Sequence, residues 1–134
     1  MIDLKFAPYG AALLRVTTGL LFLYHGLVKL FVFTPAGTAG FFDSIGLPGW
    51  VAYLTILAEV GGGLALVLGI ATQLVSLVLV PVLLGAALFA HRGAGFGWSN
   101  PGGGMEYPLM WAAAQAALAL IGGGAWQLYP LGRK

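Results

Sequence analysis

The chain of 134 residues contains no cysteine, which excludes a disulfide framework, a thiolate metal site and dithiol redox chemistry. Charge is almost as scarce: six Lys or Arg and four Asp or Glu make up 7% of the chain. A soluble domain carries roughly 25% charged residues, because water must wet its surface. Ten charges cannot cover a water-soluble protein of this length, whereas the 60% of residues that are hydrophobic suit lipid, whose contacts need no charge. The net charge of +2 comes without any run of Lys or Arg to track phosphates, so no nucleic-acid partner is expected. A P-loop, an HExxH motif and a run of acidic residues are all missing, and GAGFG at 93–97 reads as a loop rather than a nucleotide fingerprint. No metal site is expected from these patterns.

What the chain does have is four apolar stretches near the length of about 20 residues that a bilayer core of about 30 Å requires. They run from about Pro8 to Phe33, Trp50 to Gly69, Thr72 to His91 and Tyr107 to Gly124. Segments such as LVSLVLVPVLLGAALFA are apolar on every face, which fits lipid-facing helices and not alternating strands. The expected architecture is an all-α bundle of four transmembrane helices in one domain spanning 1–134. Pro81 is expected to kink the third helix. Residues 70–72 form a tight turn. The first long loop, TPAGTAGFFDSIGLPG, holds Phe41, Phe42, Ile45 and Leu47, which suit a short amphipathic helix at the interface. The last loop, HRGAGFGWSNPGGGMEYP, is expected to be irregular and mobile. Trp50, Trp98, Tyr107, Trp126 and Tyr129 sit where aromatic belts form.

Asp3 and the lack of a small-residue cleavage site argue against a cleaved leader. Four passes put both termini on one side and both long loops on the other. Lys5, Arg133 and Lys134 on the termini side outnumber Lys29 and Arg92, which predicts cytoplasmic termini in a multi-pass cell-membrane protein. Ala12, Gly19 and Gly26 repeat every seven residues, Gly61, Gly62 and Gly63 crowd the second helix, and the fourth is rich in Ala. Small side chains let helices pack closely in lipid, and the Ala-rich helix also offers a face for a homo-oligomer.

Six residues are candidates for chemistry or ligand binding: Arg15, His25, Lys29, Glu59, His91 and Glu106. Glu59 interrupts an otherwise apolar helix, and an ionised carboxylate there costs at least about 3 kcal/mol unless paired. Arg15, His25 and Lys29 share one face of the first helix and are its expected partners, with either Arg15 or His25 at a matching depth. His91, Arg92 and Glu106 join His25, Lys29 and Glu59 in the loop-side half. Lys29, Arg92 and Glu106 also fit plain interfacial anchors, and Glu59 with Arg15 fits a structural ion pair. Haem ligation by His25 and His91 is a further option.

LLRVTTGLLFLYHGLVKLF at 13–31, FFDSIGLPGW at 41–50 and LAEVGGGLALVLGIATQLVSLVL at 57–79 together resemble the DoxX family of small bacterial membrane proteins. His91, Glu106 and the closing LIGGGAWQL fit as well, so the resemblance covers nearly the whole chain. Its most specific part is R-x₉-H-G-x₂-K followed by E-x-G-G-G-x₄-L-G. The resemblance implies a four-helix membrane bundle and, through DoxD-like relatives, an association with thiosulfate:quinone oxidoreduction or membrane-linked redox and sulfur stress. It assigns no catalytic role to any of these residues. The expectation that follows is a redox-associated membrane subunit binding a quinone or another small lipophilic ligand, with His25 donating, Glu59 relaying protons and His91 at the outer end. The alternative is a non-enzymatic scaffold for a soluble redox partner, with the 92–106 loop as its contact surface. A solute or proton transporter ranks last, because no inverted repeat is visible.

Overall fold

The computed structural model describes residues 1–131. Arg133 and Lys134, two of the cations behind the expected orientation, lie outside the described residues. Among the described residues the chain is helical: α1 Ala7–Phe31, α2 Pro35–Ser44, α3 Val51–Leu68, α4 Thr72–Gly85 and α5 Glu106–Ile121. A π-helical turn, Ala86–Ala90, extends α4, and a 3₁₀ turn follows at Arg92–Ala94. Three helices are long and apolar enough to cross a membrane: Ala7–Phe31, Val51–Leu68 and Thr72–Ala90. The 16 residues of α5 reach about 24 Å at 1.5 Å per residue. Leu13, Leu20, Leu57, Leu64, Leu74, Leu77 and Leu120 point outward, which suits lipid and not water.

The α1–α3 pair is the main seam. Ala12, Arg15, Gly19, Phe22 and Gly26 are buried and follow one another at alternating steps of three and four residues, the seam pattern of packed helices. The seven-residue repeat of small residues is therefore an interface. A Cβ on Gly19 would stand 2.9 Å from the Gly63 carbonyl, and one on Gly63 would stand 2.8 Å from the Gly19 carbonyl. Gly61 meets nothing within 4 Å, and Gly62 packs on Leu79. The three glycines thus have separate surroundings.

α3 ends in a Schellman motif, because Gly69 takes the left-handed conformation at φ 74°. Its N–H bonds to the Leu66 carbonyl at 3.1 Å, and the Ile70 N–H bonds to the Ala65 carbonyl at 2.8 Å. α2 begins at Pro35, earlier than its aromatic residues suggested, because Thr34 caps it by accepting from the Gly37 N–H at 3.1 Å. α4 continues through Pro81, and a π turn follows, where the His91 N–H reaches back to the Ala86 carbonyl at 3.0 Å. α4 and α5 are joined at their core by Gln115 Nε2 donating to Ser76 Oγ at 2.8 Å, both residues being fully buried. A buried hydrogen bond of this kind joins helices where water cannot. Phe22, Leu66, Leu79, Leu83, Ala112 and Leu118 form the apolar core.

The fourth long helix ends at Ile121 and not near Gly124. Gly122 has φ 84° and turns the chain back. The returning tail bonds to both neighbours at that end of the bundle. The Ala125 N–H meets the Pro8 carbonyl at 2.9 Å, and Tyr129 exchanges bonds with Gly69 and Ala71.

A candidate ligand cavity

The loop-side half of the bundle holds a half-open cavity of about 1150 Å³. Its walls come from α1, α2, α3, α4 with its π turn, and the start of α5. Phe41, Phe42, Leu54, Val78, Val82 and Phe89 give it an apolar lining. The size exceeds the roughly 300–1,000 Å³ of common small-molecule pockets, so a bulky lipophile fits. The polar groups on its walls are few: His25, Lys29, Glu59, His91 and Tyr107 are the ionisable ones.

Glu59 is only 7% exposed. Its partner is Lys29, not Arg15 or His25. Lys29 Nζ hydrogen-bonds to Glu59 Oε1 at 3.1 Å and lies 2.9 Å from Oε2. Both oxygens thus face the ammonium, and Oε2 is buried. Helix periodicity placed all three candidate cations on one face. The offset between α1 and α3 then selects Lys29, because Gly26 packs on Glu59 and Val60.

Arg15 lies toward the opposite end of the bundle. Its guanidinium donates only to carbonyls: Nε to Gly123 at 2.9 Å, Nη1 to Leu66 at 2.7 Å and Val67 at 3.1 Å, and Nη2 to Ala125 at 2.9 Å and Trp126 at 3.3 Å. No carboxylate among the described residues is involved. The Leu66 and Val67 carbonyls close the C-terminus of α3, where the helix dipole favours a cation. Arg15 is thus separate from the cavity, and the expected Arg15–Glu59 pair does not form.

His25 sits on the cavity wall with its ring 5.3 Å from that of Trp111. His91 also lines the cavity, and both its ring nitrogens are engaged: Nδ1 is 2.6 Å from the Gly103 carbonyl and Nε2 is 2.7 Å from the Tyr107 hydroxyl. Haem ligation through His91 would require giving up one of these bonds. Glu106 does not line the cavity. Its Oε2 accepts the Trp98 N–H at 3.0 Å and holds the loop before α5. Arg92, at the start of the 3₁₀ turn, is exposed and also outside the lining. The loop itself is irregular, as its composition suggests, but bonded along its length. Gly104 N–H meets the Gly97 carbonyl, Met105 N–H that of Gly95, and Glu106 N–H that of Phe96.

Two aromatic wall residues that carry an O–H or N–H group were not among the sequence candidates. Tyr107 read only as a belt aromatic, and Trp111 was not singled out. The available signal was spacing: Tyr107, Trp111 and Gln115 are four residues apart and share one face of α5. Trp111 Nε1 and Gln115 Oε1 are both buried without a hydrogen-bond partner.

The sequence pattern of the DoxX family matches residues 10–92, which include His25, Lys29, Glu59 and His91. Among curated proteins, the chain is 40% identical over 87 residues to the Bacillus subtilis (strain 168) protein named "Putative oxidoreductase CatD", a match covering 65% of this chain and 63% of that protein. It is 32% identical over 87 residues to "Inner membrane protein YqjF" of Escherichia coli (strain K12), covering 65% of each. The chain therefore spans a little less than two thirds of the length of these relatives. No solved structure matches it. With three apolar helices of membrane-crossing length and a family pattern over most of its length, this chain is a membrane protein and belongs to the DoxX family.

Proposed function

We propose that this protein is a redox-associated membrane subunit that holds a quinone or another small lipophilic ligand in the loop-side cavity. One observation carries the reading: an apolar cavity of about 1150 Å³ whose few polar wall groups include the Lys29–Glu59 ion pair and the His91–Tyr107 hydrogen bond. An apolar body with a polar head is the ligand shape that such a wall accepts. The relative named as an oxidoreductase supports the redox setting. The test is saturable binding of a short-chain ubiquinone to purified protein in lipid nanodiscs. His25→Ala and Glu59→Gln are each expected to weaken binding about tenfold, the equivalent of about 1.4 kcal/mol. Unchanged binding in both variants would remove these side chains from the site, and absence of saturable binding to the wild type would end the reading.

The proposal includes one domain of four crossings, with α5 as the fourth. Its 16 residues are short for a core of about 30 Å, a mismatch that local thinning of the bilayer accommodates. Cytoplasmic termini follow from the small excess of Lys and Arg on that side. A cysteine introduced at Ser99 is expected to react with an impermeant thiol reagent on intact cells, with any outer membrane permeabilised. One introduced at Arg133 is expected to react only after lysis. The native chain adds no background, having no cysteine. The reverse pattern would invert the orientation, and labelling of both on intact cells would remove the fourth crossing.

A further inference from the structure

His91 lines the loop end of the cavity with both ring nitrogens engaged. Its Nδ1 lies 2.6 Å from the Gly103 carbonyl, which can only accept, so the partner assigns the ring hydrogen to Nδ1. In the neutral ring Nε2 then has a lone pair, and the Tyr107 hydroxyl 2.7 Å away donates to it. The loop sets this arrangement. Gly103 takes a left-handed φ of 70°, its N–H bonds to the Asn100 carbonyl at 2.8 Å, and Gly104 ties back to Gly97. The two rings meet edge to face at 4.9 Å.

Resting on the reading that this cavity holds a lipophilic ligand, we propose that Tyr107 is the ligand-contacting group at this end and acts there as a hydrogen-bond acceptor. The ligand it selects is a quinol or another lipophilic phenol. His91, Tyr107 and Gly102 all line the cavity. A tyrosine hydroxyl has one hydrogen, and here it is committed to His91, so a third partner meets only oxygen lone pairs. A quinol O–H supplies the missing donor, whereas a quinone carbonyl brings a second acceptor against the first. The same geometry defines a proton step. The quinol O–H bond breaks as its hydrogen bonds to the Tyr107 oxygen, and the original Tyr107 hydrogen passes to His91 Nε2. The products are a quinolate and an imidazolium that still donates through Nδ1 to Gly103. No electron moves in this step. His91 is a positioning residue that orients the tyrosine and receives the proton.

The test uses full-length protein in nanodiscs, labelled with ¹⁵N-histidine. The chain has two histidines, so the spectrum of a His25→Gln variant isolates His91. The expected spectrum is a neutral ring with hydrogen on Nδ1, whose Nε2 resonance moves in Tyr107→Phe. Under anaerobic conditions the wild type is expected to bind a short-chain ubiquinol about tenfold more tightly than the matching ubiquinone, about one good hydrogen bond. Tyr107→Phe is expected to bring the ratio to within about twofold. Hydrogen found on Nε2 would overturn the proposal whatever the ligand does. Binding of both forms with a ratio unmoved by Tyr107→Phe would overturn the assignment of Tyr107 and leave the ligand reading standing. Failure of both forms to bind the wild type would overturn both.

Discussion

Replacing Arg15 with alanine is expected to release the segment after Gly122 and to lower stability by about 3–5 kcal/mol. Arg15 is 1% exposed, and its three nitrogens donate to five carbonyls. Those carbonyls belong to two pieces of chain, the end of α3 and the tail at 123–126. Hydrogen bonds from a charged donor are worth about 1.5–3 kcal/mol each, and losing several leaves buried acceptors without partners. The contributions are not additive, since the Leu66 carbonyl also accepts from Gly69. Lysine is expected to rescue little, because one ammonium cannot span acceptors that the planar guanidinium meets on several edges. Thermal unfolding in detergent measures the loss, and limited proteolysis between residues 122 and 131 reads the detachment. An Arg15→Ala protein with an unchanged melting temperature and a protected tail would show that the socket is incidental.

Gly63→Val is expected to cost about 3 kcal/mol and to abolish binding in the cavity. The atoms that a Cβ would meet, the Gly19 carbonyl and the Leu23 N–H, both at 2.8 Å, are backbone. No rotamer change relieves that contact, so α1 and α3 must move apart, at the upper end of the roughly 1–3 kcal/mol typical of overpacking. Glu59 is one turn away on α3, and separation of the seam takes it from Lys29. Gly61→Ala is the internal control. Nothing lies within 4 Å of its Cβ position, and alanine favours a helix interior over glycine by about 0.5–1 kcal/mol. Unfolding of the two variants side by side is the measurement. Equal effects would mean that the triplet acts only through helix propensity.

The position of the Lys29–Glu59 pair bears on why a carboxylate is kept there. A buried ion pair is seldom a source of stability, because desolvation offsets the Coulomb attraction. Here the pair stands on the wall of the cavity, with Lys29 Nζ within 3.1 Å of both carboxylate oxygens of Glu59. That placement fits the contribution to ligand binding proposed for Glu59.

The amino-acid sequence by itself determined the solvent and the kind of element. So little charge and such long apolar runs leave lipid and helices as the workable combination, because backbone polar groups must be satisfied within each crossing segment. It also determined that Glu59 needs a cation or a proton, and it singled out the small-residue stripe of α1, since both follow from burial and a period of 3.6 residues. Which cation Glu59 takes was decided only by tertiary structure. Periodicity gives the angle of a side chain around its own helix, whereas the pairing depends on how far α1 is displaced along α3. The contact of Gly19 with Gly63 and of Gly26 with Val60 sets that displacement. The Arg15 socket was illegible for a different reason: its partners are carbonyls, which every residue carries, and they meet only because the chain turns back at Gly122. The His91–Tyr107 pair was likewise hidden, because it spans a loop whose closure rests on backbone hydrogen bonds that leave no side-chain pattern in the sequence.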